Sequence, residues 1–68
     1  MTKLQEVSLA LLSDTFAAAV VNLAVIGQGS NPGDIAADYA QQAITTAPEE
    51  GTGQLVQRAC GLIIASFG

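Results

Sequence analysis

From Leu4 to Ile26 the chain runs without proline or glycine, and Glu6 and Asp14 are its only charged residues there. Counted by sevens, Leu4, Leu11, Ala18 and Val25 share one position, and Val7, Asp14 and Val21 share the one three residues on. In a helix of about 3.6 residues per turn these positions form one stripe of the coiled-coil kind, interrupted by a carboxylate. Leu9, Phe16 and Leu23, with Leu12, Ala19 and Ile26, form a second stripe roughly 100–150° around the same helix. Ser8, Thr15 and Asn22 make a polar seam between the two, while Ala10, Ala17 and Ala24 form a row that lets a neighbouring backbone approach. The pattern predicts one long helix capped by Thr2, with Glu6 complementing its N-terminal dipole and Gly27 ending it.

Gly27 to Gly33 reads as a loop. Its glycines match neither the dinucleotide fingerprint nor the P-loop, since no strand precedes them and no lysine follows. Asn31-Pro32-Gly33-Asp34 is a helix start, with Asn31 as cap and Pro32 in the first turn. A second helix over Pro32 to Ala47 places Ile35, Tyr39, Ala40, Ala43, Ile44 and Ala47 on one face, opposite Asp34, Asp38, Gln41, Gln42 and Thr45. Pro48 to Gly53 follows as a turn, and a third helix begins at either Pro48 or Thr52. Leu55, Val56, Ala59, Cys60, Leu62, Ile63 and Phe67 give that helix a broad apolar face.

These elements predict an all-α fold in one small domain spanning residues 1–68: a long N-terminal helix packed against a C-terminal helical hairpin, as a three-helix bundle. Phe16 is expected in its core. The hairpin can cover one stripe of the long helix, and the other requires a second chain, a lipid or a ligand. The seam is expected along Leu4, Val7, Leu11, Asp14, Ala18, Val21 and Val25.

Composition strengthens the expectation of self-association. At 68 residues the chain is near the lower limit for building its own core, and much of its apolar half is alanine. Small domains compensate with disulfides, metals or oligomerisation. Cys60 is alone and there is no histidine, so neither an internal disulfide nor a metal site of the usual spacing is expected. A homo-oligomer, a dimer in the simplest case, follows.

Charge excludes more than it assigns. Six carboxylates against two basic residues give a net charge of −4, which does not suit a nucleic-acid partner. Val7 to Ile26 has the length of a membrane span, but Asp14 and the polar seam oppose one. No basic stretch precedes the apolar segment as in a signal peptide, and the unpaired thiol suits a reducing, cytoplasmic setting.

No catalytic residue is assigned and no cofactor is expected. Cys60 has no histidine to activate it, and the carboxylates show no spacing that separates acid from base. Arg58 is placed opposite Asp14 as a pair that would fix helix register. Tyr39, Gln41, Gln42 and Arg58 are the candidate polar contacts for a small molecule held between protomers. The leading expectation is a non-enzymatic protein–protein interaction module, an adaptor, regulator or inhibitor. A self-assembling subunit of a filament, shell or phage particle stands beside it.

Overall fold

Asp14 divides the N-terminal apolar segment in two. In the computed structural model, which describes residues 1–67, four helices follow one another: α1 (Lys3–Ser13), α2 (Thr15–Gln28), α3 (Pro32–Thr46) and α4 (Thr52–Phe67). The described residues contain no strand. The all-α expectation holds, and the single long helix is corrected to a pair meeting at 92°.

The break has a local cause. Ser13, Asp14 and Thr15 are consecutive short polar residues, the kind whose side chains compete with the backbone for its own hydrogen bonds. The Ser13 hydroxyl donates to the Leu9 carbonyl at 2.6 Å. Asp14 adopts extended backbone angles, φ −78° and ψ 132°. Its N–H ends α1 on the Ala10 carbonyl at 3.0 Å, and its own carbonyl starts α2 by accepting from Ala18 at 2.8 Å. One residue therefore closes one helix and caps the next.

Packing gives the break its value. A straight helix from Lys3 to Gln28 would be about 39 Å long, whereas the molecule's longest axis is 30 Å. Bent at Asp14, α1 folds back against α3 and α4 and completes the core. It contributes Val7 and Leu11, while α2 contributes Ala17, Val20, Val21 and Ala24. Ile35, Tyr39 and a run of alanines enter from α3, and Leu55, Ala59, Cys60 and Ile63 from α4. The alanine row of the N-terminal segment is thus largely core: Ala17 and Ala24 are fully buried.

Phe16 lies on neither buried side. The buried side rotates by roughly 110° between α1 and α2, at 100° per residue, so the side presented inward by α2 is that of Ala17 and Val21. Phe16 lies outside the core at 64% exposure, contrary to its expected burial. Small side chains let α2 lie close to its neighbours, and an inward phenyl ring would hold them apart.

The remaining ends follow their sequence signals with one shift. Helix α2 continues through Gly27 and is capped by Gly29, whose φ of 71° lies in the left-handed region that glycine adopts without steric cost. Gly27 instead permits close approach, because a Cβ there would run into the Phe67 ring. Asn31 caps α3 by accepting from the Asp34 N–H at 2.9 Å, with Pro32 in the first turn. Of the two possible starts for the last helix, Thr52 is the one used. Pro48 and Glu49 form a turn, and the Pro48 carbonyl accepts from Lys3 Nζ at 2.6 Å, tying the start of α1 to the α3–α4 connection.

Candidate interaction surface

The surplus apolar surface is real, but it lies on the second stripe. Val7, Leu11 and Val21 of the expected seam are buried inside the chain, and Leu4, Ala18 and Val25 are half-buried beside them. Asp14 is exposed at the elbow. Leu9, Leu12, Phe16, Leu23 and Ile26 all remain exposed, from 39% at Leu12 to 84% at Ile26. Single exposed apolar side chains are ordinary, whereas a run of them along one helical side is not.

On α2 the exposed residues Phe16, Ala19, Leu23 and Ile26 occupy an arc of about 80°. No charged residue lies between Thr15 and Gln28. This side is therefore apolar, uncharged and as long as the helix. Ile64 and Phe67 add exposed apolar surface on α4.

Helix α1 carries a separate patch. Met1, Leu4, Leu9, Leu12 and Ala37 surround a shallow hollow of about 410 Å³, with Gln5 and Ser8 as its polar members. The Ser8 hydroxyl oxygen is buried without a hydrogen-bond partner. A larger groove of about 600 Å³ lies between the elbow and α4, where Asp14, Phe16, Val56, Gln57, Cys60 and Ile64 are among its walls. Burial pushes the Cys60 thiol above the ordinary thiol range, and the Asp14 carboxylate adds to the effect. A thiol held in its neutral form is a poor nucleophile.

The candidate polar contacts do not converge. Tyr39 is buried, and its hydroxyl accepts from Gln28 Nε2 at 3.1 Å and donates to Ser66 Oγ at 3.2 Å, joining α2, α3 and α4. Gln41 and Gln42 are exposed on α3, where Gln41 Nε2 donates to Thr45 Oγ1 at 3.2 Å within the same helix. Neither hollow just described is lined by Tyr39, Gln41, Gln42 or Arg58.

Arg58 does not pair with Asp14. Its Nη2 donates to Glu50 Oε1 at 2.7 Å in a solvent-accessible ion pair, and that hydrogen bond and charge raise the guanidinium pKa. Asp14 is engaged instead by its own backbone, accepting from Ala17 at 3.0 Å. The local cap competes successfully with the distant cation because it needs only one rotamer to be fixed.

Among the described residues, no cluster of three or more cysteines and carboxylates is arranged to hold a metal ion. No single described helix is long and apolar enough to cross a membrane. Helices α1 and α2 meet that length and composition only together, across their 92° bend. No family model, curated protein or solved structure matches this chain.

Proposed function

We propose that this chain is a small, non-enzymatic protein–protein interaction module of the cytoplasm that works as a homo-oligomer. The observation that supports this most is the uncharged outer side of α2, where Phe16, Leu23 and Ile26 stay in solvent after the chain has packed its own core. Two copies meeting there would shield those residues across a two-fold axis, each presenting the same side. The low charge of that side matters for a chain of net charge −4: no carboxylate of α2 opposes another across the seam.

The α1 patch around Met1, Leu9 and Leu12 would remain available for a different protein partner, for which an adaptor, regulator or inhibitor role is the natural description. Sedimentation of the native chain and of Leu23→Glu tests the reading. A native dimer that becomes a monomer on substitution supports it, and a native monomer at all concentrations removes it.

A second reading is favoured by the presence of two separated apolar patches. If the α1 patch of one copy met the α2 side of the next, the contact would be head-to-tail and need not close, giving a filament or shell subunit. Electron microscopy of concentrated protein distinguishes the two, because a discrete dimer shows no extended particles.

A further inference from the structure

We infer that Asp14 is an exchange hinge: α1 can leave its own chain and dock in the same place on a second copy, while α1 and α2 straighten into one helix. This rests on the reading of the chain as self-associating and gives a route to the dimer other than the α2 seam. The hinge is a single residue, not a loop, since α1 ends at Ser13 and α2 begins at Thr15. On both sides the sequence is free of proline and glycine from Thr2 to Ile26, so no residue there bars a continuous helix.

Hydrogen bonding favours the straight form. In the bent chain, the Ala17 N–H is satisfied by the Asp14 carboxylate, and the N–H groups of Thr15 and Phe16 find no backbone carbonyl across the elbow. Straightening would pair Thr15, Phe16 and Ala17 with the carbonyls of Leu11, Leu12 and Ser13, at the loss of the one cap bond. A lone molecule cannot take that gain, because a helix of about 39 Å overshoots its 30 Å body and would carry Val7 and Leu11 into water. A second copy restores their burial: each α1 fills the site vacated by the other, and the core contacts are made again between chains. Exchange of an identical element across a short hinge is a low-cost route to a dimer.

The geometry of the product is fixed by the closed form. An exchanged α1 keeps the 92° it makes with the α2 beside which it packs, so the two straight helices cross near a right angle close to residue 14. Leu12 and Phe16, exposed on either side of the hinge in the closed chain, lie at that crossing.

Thr15→Pro and Asp14→Ala test the hinge in opposite directions. Proline is well suited to the first position of α2, where the Thr15 N–H is unpaired and Asp14 already has the extended angles that precede proline. In a straight helix the same proline would lose a hydrogen bond and clash with the preceding turn. Thr15→Pro should therefore fold and melt at least as high as the parent, with its dimer fraction lost in sedimentation. Asp14→Ala removes one cap from each closed chain and should raise the association constant by roughly 30-fold. A folded Thr15→Pro that dimerises like the parent overturns the exchange, as does the absence of any dimer in both the parent and Asp14→Ala. Leu23→Glu separates this from failure of the α2 seam. A dimer abolished by Leu23→Glu but unaffected by Thr15→Pro leaves the seam standing without exchange. One that persists in Leu23→Glu but is lost in Thr15→Pro leaves exchange standing without the seam.

Discussion

The Asp14 carboxylate accepts the Ala17 N–H at 3.0 Å, and this bond separates one long helix from two short ones. It sets which side of α2 faces inward and, through that, which residues remain in solvent. Because an N-cap contributes about 1 kcal/mol, Asp14→Ala should lower folding stability by that amount at concentrations where the chain is monomeric. Asp14→Asn should lose much less, since asparagine caps equally well. Urea denaturation of the two variants side by side makes the comparison.

Leu11 and Phe16 form a second contrast. Leu11 is fully buried and Phe16 largely exposed, although both are apolar and only five positions apart. Leu11→Ala should cost about 2–5 kcal/mol, enough to unfold much of so small a domain. Phe16→Ala should change monomer stability by no more than about 0.5 kcal/mol while weakening association. Equal losses in the two variants would mean that Phe16 lies in the core with Leu11.

How much of this was legible in the sequence differs by segment. Asn31-Pro32 and Thr2 announced their helices correctly, because a side-chain cap is a local feature that neighbouring packing seldom overrides. The second and third predicted helices stand with small changes at their ends. The elbow was hidden for a specific reason: apolar periodicity continues through Ser13-Asp14-Thr15, so the heptad count read through a cap. That triplet was the available signal, a run of short polar residues of which the middle one is a strong N-cap type. The seam expected along Val7, Leu11 and Val21 is a separate correction, since the chain buries that stripe by itself on both sides of the elbow. Leu9, Leu12, Leu23 and Ile26 were visible as a second stripe, but the surplus was expected on the other one and Phe16 in the core. Which stripe the hairpin would cover depends on the direction of α2, and no local pattern encodes a 92° turn. The partners of Tyr39 were out of reach for a similar reason, since Gln28 and Ser66 come from two other helices.

Tyr39 offers a third test. Its hydroxyl links α3 to the ends of α2 and α4, and Tyr39→Phe keeps the ring while removing both bonds. A loss of about 1 kcal/mol is expected, with Gln28→Ala adding little further in the phenylalanine background. Additive losses from the two substitutions would show that the hydroxyl and Gln28 act independently.

Gly27 and Phe67 form a coupled pair. Alanine at position 27 meets the Phe67 ring, so the usual helical gain of about 1 kcal/mol for glycine to alanine should be missing in Gly27→Ala. It should reappear when Phe67→Ala is already present. A double-mutant cycle measures this coupling, and a cycle that closes with simple additivity would place the ring elsewhere.

Cys60 predicts a pH dependence. Burial raises its folded-state pKa above the unfolded thiol's. The unfolded chain therefore releases this proton first, and the stability due to the buried thiol is complete below the ordinary thiol range. It declines as pH rises through that range toward the folded pKa. Cys60→Ala should remove this part of the alkaline loss, measured as the difference in melting temperature between neutral and alkaline pH. An identical alkaline decline in parent and variant would assign it to other groups.

Molar mass in solution, measured by sedimentation equilibrium from micromolar to millimolar concentration, tests the central claim most directly. Association through the exposed side of α2 predicts a parent dimer within that range and a Leu23→Glu variant that remains a folded monomer throughout. A parent that stays monomeric at every concentration, with Phe16, Leu23 and Ile26 in water, would contradict it.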